Sequence, residues 1–161
     1  MKEKFRIAKD AYSIDYEALY EEGARVLLFD IDYTLVPHGA PADDRAKTLI
    51  RELAAKGFQI LFLSNNNGNR AEMFAKDLPA RCVTKAMKPL PKGYAEAVRL
   101  SGCKKEQAVL IGDQLFTDVL GARLYGLAAI LTGRVDTERE LSLRIKSKIE
   151  KALFLIYNRS K

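Results

Sequence analysis

Val26-Leu27-Leu28-Phe29-Asp30-Ile31-Asp32-Tyr33-Thr34-Leu35-Val36 is the stretch that decides the fold. A short unbroken apolar run suits a strand buried on both faces. It ends in two carboxylates spaced i and i+2, followed by a hydroxyl. Unpaired charges are strongly disfavoured at the exit of a buried strand, so these acids need a metal ion or another cation to hold them. The stretch is therefore a site as well as a strand.

Outward from it, the chain alternates short apolar runs with amphipathic segments. Strands are expected at 25–29, 58–63, 81–84, 108–111 and 127–131. Helices are expected at 13–22, from Asp43 or Asp44 to Lys56, at 70–78, 92–101 and 115–125, and in a basic amphipathic segment at 137–158. Asp15, Gly23, Gly57, Pro79, Gly102 and Gly126 provide start and stop signals. Strands alternating with helices of about ten residues predict an α/β parallel sheet with right-handed crossovers. The 161 residues are read as one domain with no repeat or linker.

Composition narrows the chemistry. The chain is 30% charged and 48% hydrophobic, ordinary for a globular protein, and its net charge of +6 favours anionic partners or simply solubility. Cys82 and Cys103 stand apart, so neither a zinc site nor a disulfide framework is indicated. The charged N-terminus lacks the apolar core of a signal peptide, and no run approaches the ~18 residues of a membrane span. A cytoplasmic protein is expected, and nothing interleaves aromatic and basic residues as in a nucleic-acid binder.

Three apolar strands end in Asp30, Ser64 and Asp113, and ligands bind at that carboxyl edge of an open parallel sheet. One acid there is readily a helix cap. Asp30 and Asp113, with Asp32 and Asp118 close by, exceed what capping requires. A hard divalent cation with oxygen ligands, such as Mg2+, and a lysine would compensate them.

These motifs resemble the haloacid dehalogenase superfamily. Its DxDxT signature stands as Asp30-Ile31-Asp32-Tyr33-Thr34, its second motif as Ser64-Asn65, its third as Lys88-Pro89, and its fourth as Gly112-Asp113 through Asp118. DIDYTLVPH, LSNN, AMKPL and GDQLFTDVLGA further resemble the YqeG-type phosphatases of subclass III A, which are akin to phosphatidylglycerophosphate phosphatases. The resemblance implies a Rossmann-like sheet of order 3-2-1-4-5, helices on both faces and no cap domain.

It also implies a Mg2+-dependent phosphomonoester hydrolase. Asp30 is then the nucleophile and Asp32 the acid and base. Lys88 offsets charge. Asp30, the backbone of Asp32 and Asp113 hold the metal. Ser64 and the Asn65 backbone take the phosphoryl oxygens, Thr34 braces the nucleophile loop, and Asp118 orients Lys88 or a metal-bound water. The substrate is a phospholipid such as phosphatidylglycerophosphate or another phosphorylated molecule. The family usually has Asn where this chain has Tyr33, which bears on loop packing or substrate contact.

The segments at 36–58 and 68–88 are too short for a cap. An open cleft favours a phosphate on a macromolecule or lipid surface, or closure by a second copy of the chain. Arg70 and His38 flank the expected mouth, and Arg70 is the better anion contact. The stripe Leu141, Ile145, Ile149, Leu153 and Ile156, with Arg144, Lys146, Lys148 and Lys151 between, favours packing on the sheet or a partner over lying on an anionic bilayer. Two non-enzyme readings are weaker: a nucleic-acid-associated protein with a vestigial site, and a phosphorylatable receiver, whose acids occur in a different strand order.

Overall fold

The structure is a computed structural model that describes residues 3–66 and 68–135. Six parallel strands form one sheet: β1 (Phe5–Ala8), β2 (Val26–Phe29), β3 (Gln59–Leu63), β4 (Ala80–Val83), β5 (Ala108–Gly112) and β6 (Ala128–Thr132). Their order is β1-β6-β5-β2-β3-β4. The five expected strands take the expected order, with β2 paired to β3 on one side and β5 on the other.

β1 is the element that sequence reading missed. Phe5-Arg6-Ile7-Ala8 is too short and too charged to show a period, and only one of its four residues is well exposed. It adds to the β6 edge through parallel pairing, from Phe5 opposite Ala129 to Ala8 opposite Thr132. Arg6 then fixes the edge by donating at 2.6 Å to both carboxylate oxygens of Glu22.

β2 is buried along its whole length because its two faces meet two separate cores. Leu27 and Phe29 join Ile60 and Phe62 beneath α1 (Tyr16–Glu21), α2 (Asp44–Ala55) and α3 (Asn69–Ala75). Val26 and Leu28 join Leu61, Leu110 and Leu131 on the opposite face, beneath α4 (Pro91–Ser101) and α5 (Gly121–Tyr125). This two-sided burial is why the strand is continuously apolar rather than alternating.

The helices begin and end where local chemistry directs. Asp15 and Asp43 cap α1 and α2 by accepting from the Ala18 and Ala46 amides. Pro91 opens α4, and Gly102, at φ +66°, ends it in the left-handed region.

The segment expected to be helical at 115–125 is helical throughout, ending at Gly126, but in two forms. Leu115–Leu120 is a wide π turn, in which the Asp118 and Val119 amides both donate to the Gln114 carbonyl, and α5 begins only at Gly121. The wider turn accommodates Asp118, which is fully buried and committed to Lys88.

Among the described residues only α2 lies between β2 and β3 and only α3 between β3 and β4, so neither connection carries a cap. No helix there is long and apolar enough to cross a membrane. The amphipathic segment expected at 137–158 lies outside the described residues.

Candidate active site

The carboxyl ends of β2, β3 and β5 bring Asp30, Ser64 and Asp113 to one edge of the sheet. Asp30 is anchored there by its amide, which donates to the Ile111 carbonyl at 3.0 Å. The loop before α4 delivers Lys88 beneath them. Asn65 locks that loop by two hydrogen bonds to the Lys88 backbone: the Lys88 amide donates to Oδ1 at 2.7 Å, and Nδ2 donates to the Lys88 carbonyl at 3.1 Å.

The Lys88 side chain is only 3% exposed, and its ammonium donates to Asp30 Oδ1 at 2.5 Å and to Asp118 Oδ1 at 2.6 Å. Burial alone would lower the lysine's pKa, but Asp118 and Asp30 raise it and keep it charged. The second Asp118 oxygen accepts from the Gln114 amide at 3.2 Å. Both Asp118 oxygens are thus engaged.

Asp30 is different. Its Oδ2 is buried without a hydrogen-bond partner. Burial, then repulsion from Asp118, raises its pKa against the opposing pull of Lys88. Asp113 is pushed up to about 6 by burial and Asp118, with Arg134 opposing.

Oxygen atoms of Asp30, Asp113 and Asp118 lie within 4.8 Å of one another. Two desolvated carboxylates this close together, with raised pKa values and, among the described residues, no cation in the cluster's interior besides Lys88, are oxygen donors of the kind a hard divalent cation takes, so these residues fit Mg2+. With Asp118 committed to Lys88 and Gln114, the side chains left to hold such an ion are those of Asp30 and Asp113.

Asp32 takes its partners from outside the cluster. Its Oδ1 accepts from the Gly39 amide at 2.9 Å and from Arg70 at 3.0 Å, and its Oδ2 lies 3.7 Å from His38 Nδ1. Partial burial would raise its pKa. The Gly39 amide and Arg70 outweigh that and hold it below the ordinary value. Thr34 is fully buried, its hydroxyl donating to Asp113 Oδ1 at 3.4 Å, so it braces a carboxylate from within rather than lining the opening. Ser64 Oγ accepts from the Asn66 amide at 3.1 Å and faces the same edge.

The structure therefore brings Asp30, Lys88, Asp113, Asp118 and Thr34 together, with Ser64 and Asn65 beside them and Asp32 and Arg70 paired at the rim. It also shows residues that sequence reading passed over. Arg134 follows β6, with Nε 3.9 Å from Asp113 Oδ2 and its guanidinium 3.3 Å from the centre of the Tyr33 ring. Its signal was available: a cation directly after a strand that ends at the binding edge. Tyr94, whose hydroxyl donates to the Thr117 carbonyl, pins the π turn from below and had no such signal.

Residues 2–126 match the family model of the haloacid dehalogenase-like hydrolases, and the chain belongs to that family. Within it, the chain is similar to the "Probable phosphatase YqeG" of Bacillus subtilis, at 34% identity over 146 residues, covering 90% of this chain and 85% of that one. It is also 27% identical to "Phosphatidylglycerophosphate phosphatase 1, chloroplastic/mitochondrial" of Arabidopsis thaliana, over 90% of this chain but 45% of that protein. An uncharacterized protein from Corynebacterium glutamicum shares the fold, with TM-score 0.58 and 21% identity over 81% of this chain and 95% of that one. The chain is thus an enzyme of the YqeG type, within the phosphoric monoester hydrolases of its family.

Proposed function

We propose that the enzyme is a Mg2+-dependent phosphatase working through an aspartyl-phosphate at Asp30. The observation that carries this reading is the division of labour within one carboxylate. Oδ1 of Asp30 is held by Lys88, while Oδ2 is buried with no partner. Such an oxygen is aimed and desolvated, as a nucleophile must be.

Asp30 Oδ2 attacks phosphorus as the bond to the leaving oxygen breaks, and Asp32 gives that oxygen its proton. Water then attacks the same phosphorus, passes a proton to Asp32 and releases inorganic phosphate with the Asp30 carboxylate restored. In the resting site the Gly39 amide and Arg70 together favour the ionised form of Asp32. An arriving phosphate draws the guanidinium toward itself, and Asp32 can then take up the proton it donates. Lys88 offsets charge on the nucleophile and the phosphoryl group. Ser64 and the Asn65 backbone take phosphoryl oxygens, and Asp118 orients Lys88. Mg2+ held by Asp30, the Asp32 backbone carbonyl and Asp113 would polarise the phosphoryl group and shield the nucleophile from its charge.

The leading substrate is phosphatidylglycerophosphate, the one named for the Arabidopsis relative, and the capless edge suits a headgroup presented at a lipid surface. In this reading residues 1–161 act as one domain in the cytoplasm and reach an anionic membrane from that side. Another phosphorylated molecule is the alternative, and a second copy of the chain is the alternative cover for the site. The test is phosphate release from an aryl phosphate and from phosphatidylglycerophosphate in mixed micelles, with Mg2+ or EDTA. Mg2+-dependent release from both is expected. Release unaffected by EDTA would overturn the mechanism, and turnover of the aryl phosphate alone would overturn the lipid assignment.

A further inference from the structure

Six large apolar side chains are well exposed among the described residues, and they are not scattered evenly. Met87, Leu90 and Phe116 stand within two positions of Lys88 or Asp118, the buried ion pair at the centre of the site. They are 52%, 52% and 54% exposed. Single exposed apolar residues are ordinary, whereas three gathered on the two segments that supply one buried ion pair mark a contact surface.

The two segments are held together and held still. Lys88 Nζ donates to Asp118 Oδ1 at 2.6 Å, and the Tyr94 hydroxyl donates to the Thr117 carbonyl. A Cβ on Gly121 would fall 2.8 Å from Pro89 Cα, so the start of α5 lies directly against the loop before α4. Within that loop the Lys85 amide donates to the Asn66 carbonyl at 3.2 Å, the Ala86 amide to the Ser64 carbonyl at 3.0 Å and the Leu90 amide to the Met87 carbonyl at 2.8 Å. Met87 sits at φ +54°, in the left-handed region that bulky residues avoid, as Tyr33 does at φ +67°. Ala86 and Lys88 are buried on either side of exposed Met87, so the backbone that turns Lys88 inward presents Met87 to solvent.

Charge decides what this surface faces. Lys85 and Lys92 are exposed and flank Met87 and Leu90 in the chain. The nearby acids are engaged with cations: Asp30 and Asp118 with Lys88, Asp32 with Arg70, and Glu96 with Arg99 and more weakly with Lys92. Apolar tips flanked by lysines match the interface of an anionic bilayer, where such side chains enter the acyl boundary and the ammonium groups meet lipid phosphates. The net charge of +6 adds attraction of the same sign.

We infer that Met87, Leu90 and Phe116 form the docking surface by which the enzyme enters the interface of an anionic phospholipid bilayer, with Lys85 and Lys92 beside them. Its purpose rests on the phosphatase reading: docking through these residues holds the opening over Asp30 at the level of the headgroups.

The chain contains no tryptophan, so a single introduced one reports its own surroundings. Full-length Leu90→Trp, Phe116→Trp and, as a control, Leu124→Trp are mixed with vesicles of equimolar phosphatidylcholine and phosphatidylglycerol. Leu124 is 58% exposed but lies toward the end of α5 away from Gly121 and Pro89. Emission from positions 90 and 116 should shift to the blue and be quenched by lipid brominated in its acyl chains, and position 124 should do neither. Tryptophans at 90 and 116 that stay in water while the protein binds the vesicles would overturn the surface, since another part of the chain would be the anchor. Absence of binding would overturn it as well.

Vesicle sedimentation gives a second readout. Combining Met87→Asn, Leu90→Gln and Phe116→Gln should weaken binding by roughly tenfold or more. Lys85→Gln and Lys92→Gln should each weaken it by about fivefold, and pure phosphatidylcholine or added salt should weaken it in the wild type. Turnover of a soluble aryl phosphate by the triple variant should be unchanged. Undiminished vesicle binding by that variant would overturn the surface. So would an altered oligomeric state in light scattering with vesicle binding intact, which makes a second copy the occupant. These vesicles hold no phosphomonoester, so the result is independent of turnover. Docking without hydrolysis of any lipid phosphate supports the surface and removes the lipid substrate, whereas hydrolysis in micelles with both tryptophans in water does the reverse.

Discussion

Replacing Lys88 with Met keeps an unbranched side chain of similar length and removes the ammonium that Asp30 and Asp118 share. Lys88 is 3% exposed, Asp30 10% and Asp118 0%, so the two ion pairs at 2.5 and 2.6 Å are desolvated. The substitution leaves Asp118 with the Gln114 amide alone and Asp30 with neither carboxylate oxygen bonded to a side chain. Breaking a buried pair by removing one partner costs about 3–5 kcal/mol. With a urea dependence of about 2 kcal/mol per molar, the unfolding midpoint should fall by roughly 2 M.

The sign of the pH dependence follows from the cluster. Asp30 already has a raised pKa in the folded protein, through burial and Asp118, and Lys88 is what limits the rise. Without Lys88 the folded state holds more protons than the unfolded chain near neutrality, so stability falls as pH rises. The deficit of Lys88→Met should therefore be larger at about pH 8 than at about pH 5, where the carboxylates are protonated. Urea unfolding in EDTA, followed by circular dichroism at both pH values, measures it. Adding Asp118→Leu should recover part of the loss, because a neutral apolar replacement removes the stranded charge. A deficit below about 1 kcal/mol at the higher pH, or one equal at both, would refute a desolvated ionic cluster.

Gly112→Ala should cost about 1–3 kcal/mol in thermal unfolding and lower kcat, because its Cβ would sit 2.5 Å from Asp118 Oδ2 and displace the carboxylate that holds Lys88. Asn65→Ala removes both bonds to the Lys88 backbone and should lower kcat by about tenfold or more, with a smaller effect on KM, measured in steady-state kinetics. Asp113 titrates near 6 in the metal-free protein, so protons compete with Mg2+ there and metal affinity by calorimetry should fall as pH drops through that value. The same raised pKa means that metal-free stability contributed by this group increases as pH falls from about 6 toward about 4, the reverse of an ordinary salt-bridged carboxylate.

The sheet could be read from the sequence because strands buried on both faces are written as unbroken apolar runs. Val26 to Phe29, Ile60 to Leu63 and Ala108 to Ile111 have no competing pattern. β1 has no such run: it is an edge strand whose place depends on pairing with β6 and on the Arg6–Glu22 bond, both long-range. The π turn at Leu115–Leu120 was hidden for a related reason, since local propensity favours a regular helix and only the demand of Lys88 for Asp118 widens it. The acids and Lys88 were accessible because strand ends and motif order locate them without any contact information. The rim was not. Arg134 meets Tyr33 only because β6 and β2 end on the same edge, and the left-handed turn at Tyr33 is stabilised by a bond from Val135, 102 positions along the chain.

The most direct test of the central claim is a covalent one. Enzyme mixed with an aryl phosphate and Mg2+ is quenched in acid during turnover and reduced with borohydride, and its peptides are read by mass spectrometry. An acyl phosphate at Asp30 predicts conversion of that residue to homoserine, dependent on substrate and on Mg2+, and absent in Asp30→Asn. Phosphate release with Asp30 unmodified, or a modified carboxylate elsewhere in the cluster, would contradict the account.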